Sequence, residues 1–170
     1  NVFSWETLPK SVAVFGSGVI GLELGQALAR LGVKVHVFGR GNTIGGISDP
    51  TVSAKALEIF QQELDMHLDA NTRVSLNAAG NVEVAYEQNG EQGVFEAEYL
   101  LAAIGRKPNT DNIGLENLPE LKLDKRGVPV ADRHTMQTSI PHLFIAGDAS
   151  NQLPLLHEAS DQGVIAGKNA

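Results

Sequence analysis

Three glycines fall within the six residues Gly16-Ser17-Gly18-Val19-Ile20-Gly21, and no other stretch of the chain narrows the possible folds so far. Before them runs Ser11-Val12-Ala13-Val14-Phe15, an apolar segment rich in strand formers and bounded by turn residues, the pattern of a buried parallel strand. After them, Ile20 to Leu31 switches to helical spacing, with Leu24, Leu28 and Leu31 on one side and Gly32 at the expected stop. Val33, Val35, Val37 and Phe38 form a second strand, so strand, helix and strand follow within roughly thirty residues, the span of a right-handed βαβ unit. In that context the first glycine of GxGxxG permits a tight turn, the second lets backbone approach a pyrophosphate, and the third lets helix and strand pack closely. Amide hydrogens at the helix start, at the positive end of its dipole, favour the anion. Gly16, Ser17, Gly18, Val19, Ile20 and Gly21 are therefore the candidate cradle of a dinucleotide.

The end of the second strand bears on which dinucleotide. An acidic side chain there would grip the ribose hydroxyls of NAD. This chain has Gly39, followed by Arg40, whose forked donors match the oxygens of a 2′-phosphate. NADP is slightly favoured over NAD on this reading; the competing reading makes Arg40 a solvated surface charge.

Composition closes off other functions. Thirteen Lys and Arg against 20 Asp and Glu give a formal net charge of −7, without basic clustering, so nucleic acid is not an expected partner. No run reaches the ~18 apolar residues of a membrane span. Cysteine is absent, which removes disulfides, thiolate metal sites and thiol nucleophiles from these residues and leaves redox chemistry to a bound cofactor. The five histidines offer no metal or catalytic geometry; His36 interrupts an apolar strand and His134 sits in a polar stretch. No basic-then-apolar leader directs secretion, so a cytoplasmic location is expected, and a start at Asn1 in mid-phrase reads as a piece of something longer.

Farther along, Asp49-Pro50 reads as a cap and first helical residue for an amphipathic helix from Thr51 to Met66, with Leu57, Phe60 and Leu64 on its buried side. Val74 to Leu76, Val82 to Tyr86 and Gly93 to Ala97, separated by Ala79-Gly80-Asn81 and Asn89-Gly90, read as an antiparallel meander. Tyr99 to Ile104 returns to a buried strand ending at Gly105, where open α/β sheets bind ligands; a plain strand end with a glycine turn is the alternative. Arg106 to Asp132, rich in Pro, Asn, Gly, Asp and Lys, reads as an extended connection. Leu143 to Ala146 makes one more strand, stopped by Gly147-Asp148, and Leu153 to Ala170 a last helix. Asp148 either caps that helix or accepts a hydroxyl hydrogen bond from a sugar-like chain.

The segments GSGVIGLELG, AIGRKPNT, Ile113-Gly114-Leu115-Glu116, Gly127 to Val130 and TSIPHLFIAGDAS, in this order and spanning nearly the whole chain, resemble the FAD-dependent pyridine nucleotide-disulfide oxidoreductases. Within that family the dihydrolipoamide dehydrogenases are the most similar. The resemblance implies a Rossmann-type nicotinamide-binding domain at residues 1–105, a connector at 106–136 and a re-entrant segment of an FAD domain at 137–170. It implies hydride passage from NAD(P)H to FAD and on to a cysteine pair, in a homodimeric parent of which this piece alone is inactive. Carried over residue by residue, it places Glu23 near the nicotinamide, Gly105 and Val74 along the same cofactor, and Gly147-Asp148 at the ribityl chain of FAD. Leu155-Leu156-His157 would bring backbone to the flavin. Gly39 departs from the acidic residue of dihydrolipoamide dehydrogenases, and Gly39-Arg40 is more similar to glutathione reductases, whereas Gly21 is more NAD-like than the alanine common in that branch. Two other classes share the motifs: a flavoprotein of the NADH oxidase or ferredoxin reductase type without the cysteine pair, and a non-enzymatic nucleotide sensor.

Overall fold

Alternation along the first two strands gives each one two apolar faces. In β1 (Ser11–Phe15) and β2 (Lys34–Gly39), Val12, Val14, Val35 and Val37 point one way, and Ala13, Phe15, His36 and Phe38 the other. Such strands must be covered on both sides. On the valine side lies α1 (Val19–Arg30), contributing Leu22 and Leu28, together with the half-buried Ala56, Leu57 and Phe60 of α2 (Pro50–Phe60). On the other side lies an antiparallel sheet, β4 (Asn71–Leu76), β5 (Val82–Gln88) and β6 (Glu91–Ala97), which contributes Val84, Phe95 and Ala97. β3 (Asp65–Leu68) and β7 (Tyr99–Ala102) complete a parallel sheet of order β3-β2-β1-β7. The result is the expected three-layer α/β arrangement with its antiparallel meander. The computed structural model describes Asn1–Ala170 and divides into two units, Asn1–Gly105 and Arg106–Ala170, each taken on its own below.

Several elements differ from their sequence-based expectation. The buried face of α1 is Gly21, Leu22, Gly25 and Leu28, while Leu31 is exposed, because the helix is pressed onto the sheet through its small residues. The helix starting at Pro50, capped by Asp49 Oδ1 on the amides of Thr51 and Val52, stops at Phe60 instead of Met66. From Leu64 the chain alternates, with Leu64, Met66 and Leu68 buried, and this period of two, unmarked by any glycine or proline, is a strand. β7 is the edge of the parallel sheet, bonded to β1 alone, so Tyr99 and Leu100 are exposed where a buried strand was expected.

In the second unit, residues 106–132 carry no long element, yet they are not extended. The carboxylate of Asp124 accepts from the amides of Arg126 and Val128, and that of Asp132 accepts from those of His134 and Thr135, so each fixes a turn. Leu121, Val128, Met136 and Ile140 are buried. Leu143 to Ala146 forms no strand: a single bridge, Gln137 to Phe144, replaces the ladder, because only residues 136–138 lie alongside it. The last helix, α3, runs Leu156–Asn169.

The layer between the two sheets of the first unit is aromatic and contains two histidines. His36 stacks on Phe95 at 3.7 Å, His67 on Phe38 at 4.9 Å, and Tyr86 tilts against both Phe38 and His67. Gln88 Nε2 donates to the carbonyl of Leu68 at 2.8 Å, which turns its Oε1 toward His67 Nδ1 at 3.3 Å. That nitrogen is then the protonated one, and His67 Nε2 accepts from His36 Nδ1 at 2.9 Å. His36 Nε2 is left buried, with no hydrogen bond, beside Asp65 Oδ2 at 3.1 Å. Burial lowers the pKa of His36 to about 4; Asp65 opposes this, and His67 and Lys34 add to it. Burial likewise lowers that of His67.

A base with a depressed folded-state pKa stabilises the fold fully above its unfolded value, and that contribution is lost as pH falls toward the folded one. The His36 ring should therefore titrate near pH 4 in an NMR titration, and the thermal midpoint should fall between pH 6.5 and pH 4. In His36→Phe, which keeps the stacking surface, that fall should be shallower; an equally steep fall would detach it from this ring.

Candidate nucleotide site

The glycine turn is built at the carboxyl end of β1, between β2 and β7. Gly16 N donates to the carbonyl of Phe38 at 2.8 Å, and Ala103 N donates to that of Phe15 at 2.7 Å, so the turn is stitched to both neighbours. Gly16 has φ +118°, and a Cβ on it would lie 2.3 Å from the carbonyl oxygen of Ala103. A Cβ on Gly21 would lie 1.9 Å from the carbonyl oxygen of Gly16, so only glycine lets α1 begin this close to the strand it leaves. Gly18 differs. It is the N-cap of α1, exposed, with an extended conformation, and a Cβ there would meet nothing within 4 Å. No side chain caps the helix, and its first internal bond runs from Leu22 N to Gly18 O at 3.0 Å. The amides ahead of Leu22 are thus left without helical partners, and Val19 and Ile20 are exposed beside them.

The end of β2 is bound to this turn. Ser17 is 7% exposed; its Oγ donates to the carbonyl of Thr43 at 2.8 Å, and its own carbonyl accepts from Gly45 N at 2.8 Å. Gly39 is buried against it, and a Cβ on Gly39 would come 2.6 Å from Ser17 Oγ, 2.8 Å from Leu68 Cδ2 and 3.0 Å from Ser17 Cβ. Arg40 is exposed and takes part in no ion pair or side-chain hydrogen bond. Glu23 is exposed in the first turns of α1, and Gly105 is exposed beyond β7 with φ +118°. Val74 lies on β4 of the antiparallel sheet, opposite Val84 and exposed, and not on the parallel sheet that carries the turn.

In the second unit Gly147 is buried with φ +71°, its amide donating to Gln162 Oε1 at 2.9 Å, which also accepts from Ser150 Oγ at 3.2 Å. Asp148 does not cap α3: its Oδ2 accepts from Arg106 Nη1 at 2.7 Å, and the N-cap of α3 is Leu155, without a side-chain bond. Leu155, Leu156 and His157 are exposed at the start of α3. The Thr43 carbonyl, Gln162 and the partnership of Arg106 with Asp148 escape a reading of the sequence, since a backbone acceptor carries no residue signal and the other two act across 15 and 42 residues of chain. No group of histidine, cysteine, aspartate and glutamate side chains is arranged to hold a metal, and no helix is long and apolar enough to cross a membrane.

The sequence pattern of the pyridine nucleotide-disulphide oxidoreductase family matches residues 1–163. The chain is 34% identical over 160 residues to a dihydrolipoyl dehydrogenase of Geobacillus stearothermophilus, covering 94% of this chain and 34% of that protein. It is 36% identical over 171 residues to the mitochondrial dihydrolipoyl dehydrogenase of Sus scrofa, covering 97% and 33%. The chain thus spans about a third of the length of these relatives. Among solved structures it is similar to LpdA of Mycobacterium tuberculosis, with a TM-score of 0.79 at 29% identity, covering 97% of this chain and 35% of that one. A variant of the HOCl-induced flavoprotein disulfide reductase RclA of Escherichia coli, solved as a Cu(II) complex, shares the fold with a TM-score of 0.84 at 24% identity, covering 98% and 37%. Glycine turn, uncapped helix start and matched pattern agree, and the chain belongs to the pyridine nucleotide-disulphide oxidoreductase family.

Proposed function

We propose that Asn1–Gly105 holds the pyrophosphate of a nicotinamide nucleotide on the turn Gly16–Gly21, with NADPH preferred over NADH. One observation carries this reading. Gly16 and Gly21 are required by the packing of the protein on itself, whereas the fold gives no reason for Gly18. A side chain at 18 would project into open space beside the unpartnered amides of α1, the space a diphosphate needs. Gly39 supplies no carboxylate to ribose hydroxyls, and the unpaired Arg40 beside it supplies charge for a 2′-phosphate. Glu23 and Gly105 are assigned to the nicotinamide side of the same nucleotide.

The whole protein is assigned as a flavoprotein oxidoreductase resembling dihydrolipoyl dehydrogenase, working as a homodimer in the cytoplasm. Its FAD would accept hydride from NAD(P)H and pass electrons on to a disulfide. Residues 137–170 belong on this reading to the FAD domain and 106–136 to the connector before it. Asp148 would hold the ribityl chain, and the exposed backbone at Leu155, Leu156 and His157 would face the flavin. The carboxylate of Asp148 fits that task only on exchanging or sharing its bond to Arg106. The 170-residue chain by itself binds nucleotide and turns over nothing.

The glycines separate fold from ligand. Gly18→Ala should lower the thermal midpoint by only a few degrees, the effect of the roughly 1 kcal/mol that Ala costs at an N-cap, yet weaken NADPH binding about tenfold or more. Gly21→Ala should fail to reach the native fold. Undiminished NADPH binding by Gly18→Ala, measured by fluorescence titration, would refute the pyrophosphate assignment. Arg40→Ala should cost about tenfold in NADPH affinity, as expected for a charged hydrogen bond, and leave NADH unchanged; an unaltered ratio of the two would remove the case for the phosphate.

A further inference from the structure

The cofactor preference rests, in the reading above, on what Gly39 lacks, and the packing around Gly39 shows why the lack cannot be repaired at that position alone. The space where its side chain would begin is filled by Ser17: a Cβ on residue 39 would stand 2.6 Å from Ser17 Oγ and 3.0 Å from Ser17 Cβ. Ser17 cannot easily turn away. It is buried, and its hydroxyl is committed to the carbonyl of Thr43 at 2.8 Å while its backbone carbonyl receives Gly45 N at 2.8 Å. The third neighbour, Leu68 Cδ2, is the end of a flexible side chain and can yield. The obstacle to a side chain at 39 is therefore the second residue of the glycine motif itself.

The two bonds of Ser17 also reach the loop that leaves β2. Arg40 opens that loop, and Thr43 and Gly45 close it onto the turn, so the one free guanidinium of the site is carried on a segment fastened at both ends: at Gly39, whose carbonyl accepts from Asp69 N at 3.0 Å, and at Ser17. We propose that Ser17 and Gly39 act as one steric unit that sets nucleotide choice, Ser17 filling the space from which a ribose-gripping side chain at 39 would start and tethering the loop that presents Arg40 to the 2′-phosphate. Ser17 is on this account a positioning residue, acting through the loop and through the space it denies to residue 39. The inference rests on the nucleotide assignment above.

The two residues are separable by a cycle of variants in the 170-residue chain. Gly39→Ala should lower the thermal midpoint on its own and become nearly neutral in a Ser17→Gly background, where the collision is gone; equal losses in both backgrounds would overturn the steric coupling without any ligand. For choice, the probes are NADPH and NADH, with dissociation constants read by fluorescence titration for the unaltered chain, Gly39→Glu, Ser17→Gly and the double variant. Gly39→Glu alone should weaken both nucleotides, because the glutamate displaces the turn. The double variant should bind NADH at least tenfold more tightly than Gly39→Glu does, and bind NADPH more weakly than the unaltered chain. Ser17→Gly alone should narrow the NADPH preference and speed hydrogen exchange at the Gly45 amide. Conversion to NADH by Gly39→Glu alone, with the second change adding nothing, would overturn the proposal. Binding of neither nucleotide by the folded, unaltered chain would instead overturn the nucleotide assignment on which it rests.

Discussion

The approach of residue 21 to the carbonyl oxygen of residue 16, so close that a Cβ would lie 1.9 Å from it, is the contact on which the first unit depends. It starts α1 directly on the end of β1, and from that start Leu22, Gly25 and Leu28 are carried down onto the valines of β1 and β2. Gly16, held by Phe38 on one side and lying under the carbonyl of Ala103 on the other, ties the same turn to β2 and β7. Two consequences come from one geometry. The hydrophobic core under α1 closes, and the unpaired amides of the helix come to rest at the carboxyl edge of a parallel sheet, between strands that diverge in chain order. Gly16 and Gly21 close the core, and Gly18, which packs against nothing, is left to the proposed anion site alone.

The other face of the sheet obeys a different rule. β1 and β2 are apolar on both sides, and the meander β4-β5-β6 exists to cover the side that α1 and α2 do not. Its contact layer is aromatic, with Phe15, Phe38, Tyr86 and Phe95 among the rings. His36 and His67 enter this layer as flat rings that can stack while passing hydrogen bonds between β2, β3 and β5, ending at the Leu68 carbonyl. The histidine that interrupts an apolar strand is thus structural, and the cost of neutral burial shows as a pKa of about 4.

Legibility in the sequence follows the range of the interactions. The turn Gly16–Gly21, the strand before it, the helix after it and the meander with its Asn89-Gly90 hairpin are decided by neighbours in the chain, and each could be placed from residue types. The end of α2 could not. Helical and strand periods overlap across Phe60 to Met66, and pairing with β2, through His36 to Asp65 and Phe38 to His67, decides for the strand. Exposure of β7 was equally out of reach, since an edge strand and a central one share the same apolar composition. In the second unit the partner of Asp148 is Arg106, a residue 42 positions away, so a carboxylate beside a helix start looked like a cap and is an ion pair instead.

Gly39 carries two meanings, one for the proposed ligand and one for the fold. As a position in a fingerprint it signifies a missing charge, which is an electrostatic statement about the ligand. In the fold it is also the residue that makes room for Ser17, and through Ser17 it fixes the loop carrying Arg40. Ser17 turns inward and is buried, so on the proposed assignment part of the choice of cofactor passes from the end of β2 to the middle of the glycine turn. A Cβ at residue 39 and the Ser17 hydroxymethyl cannot share one space, so the two sequence positions, 22 residues apart, constrain one another sterically.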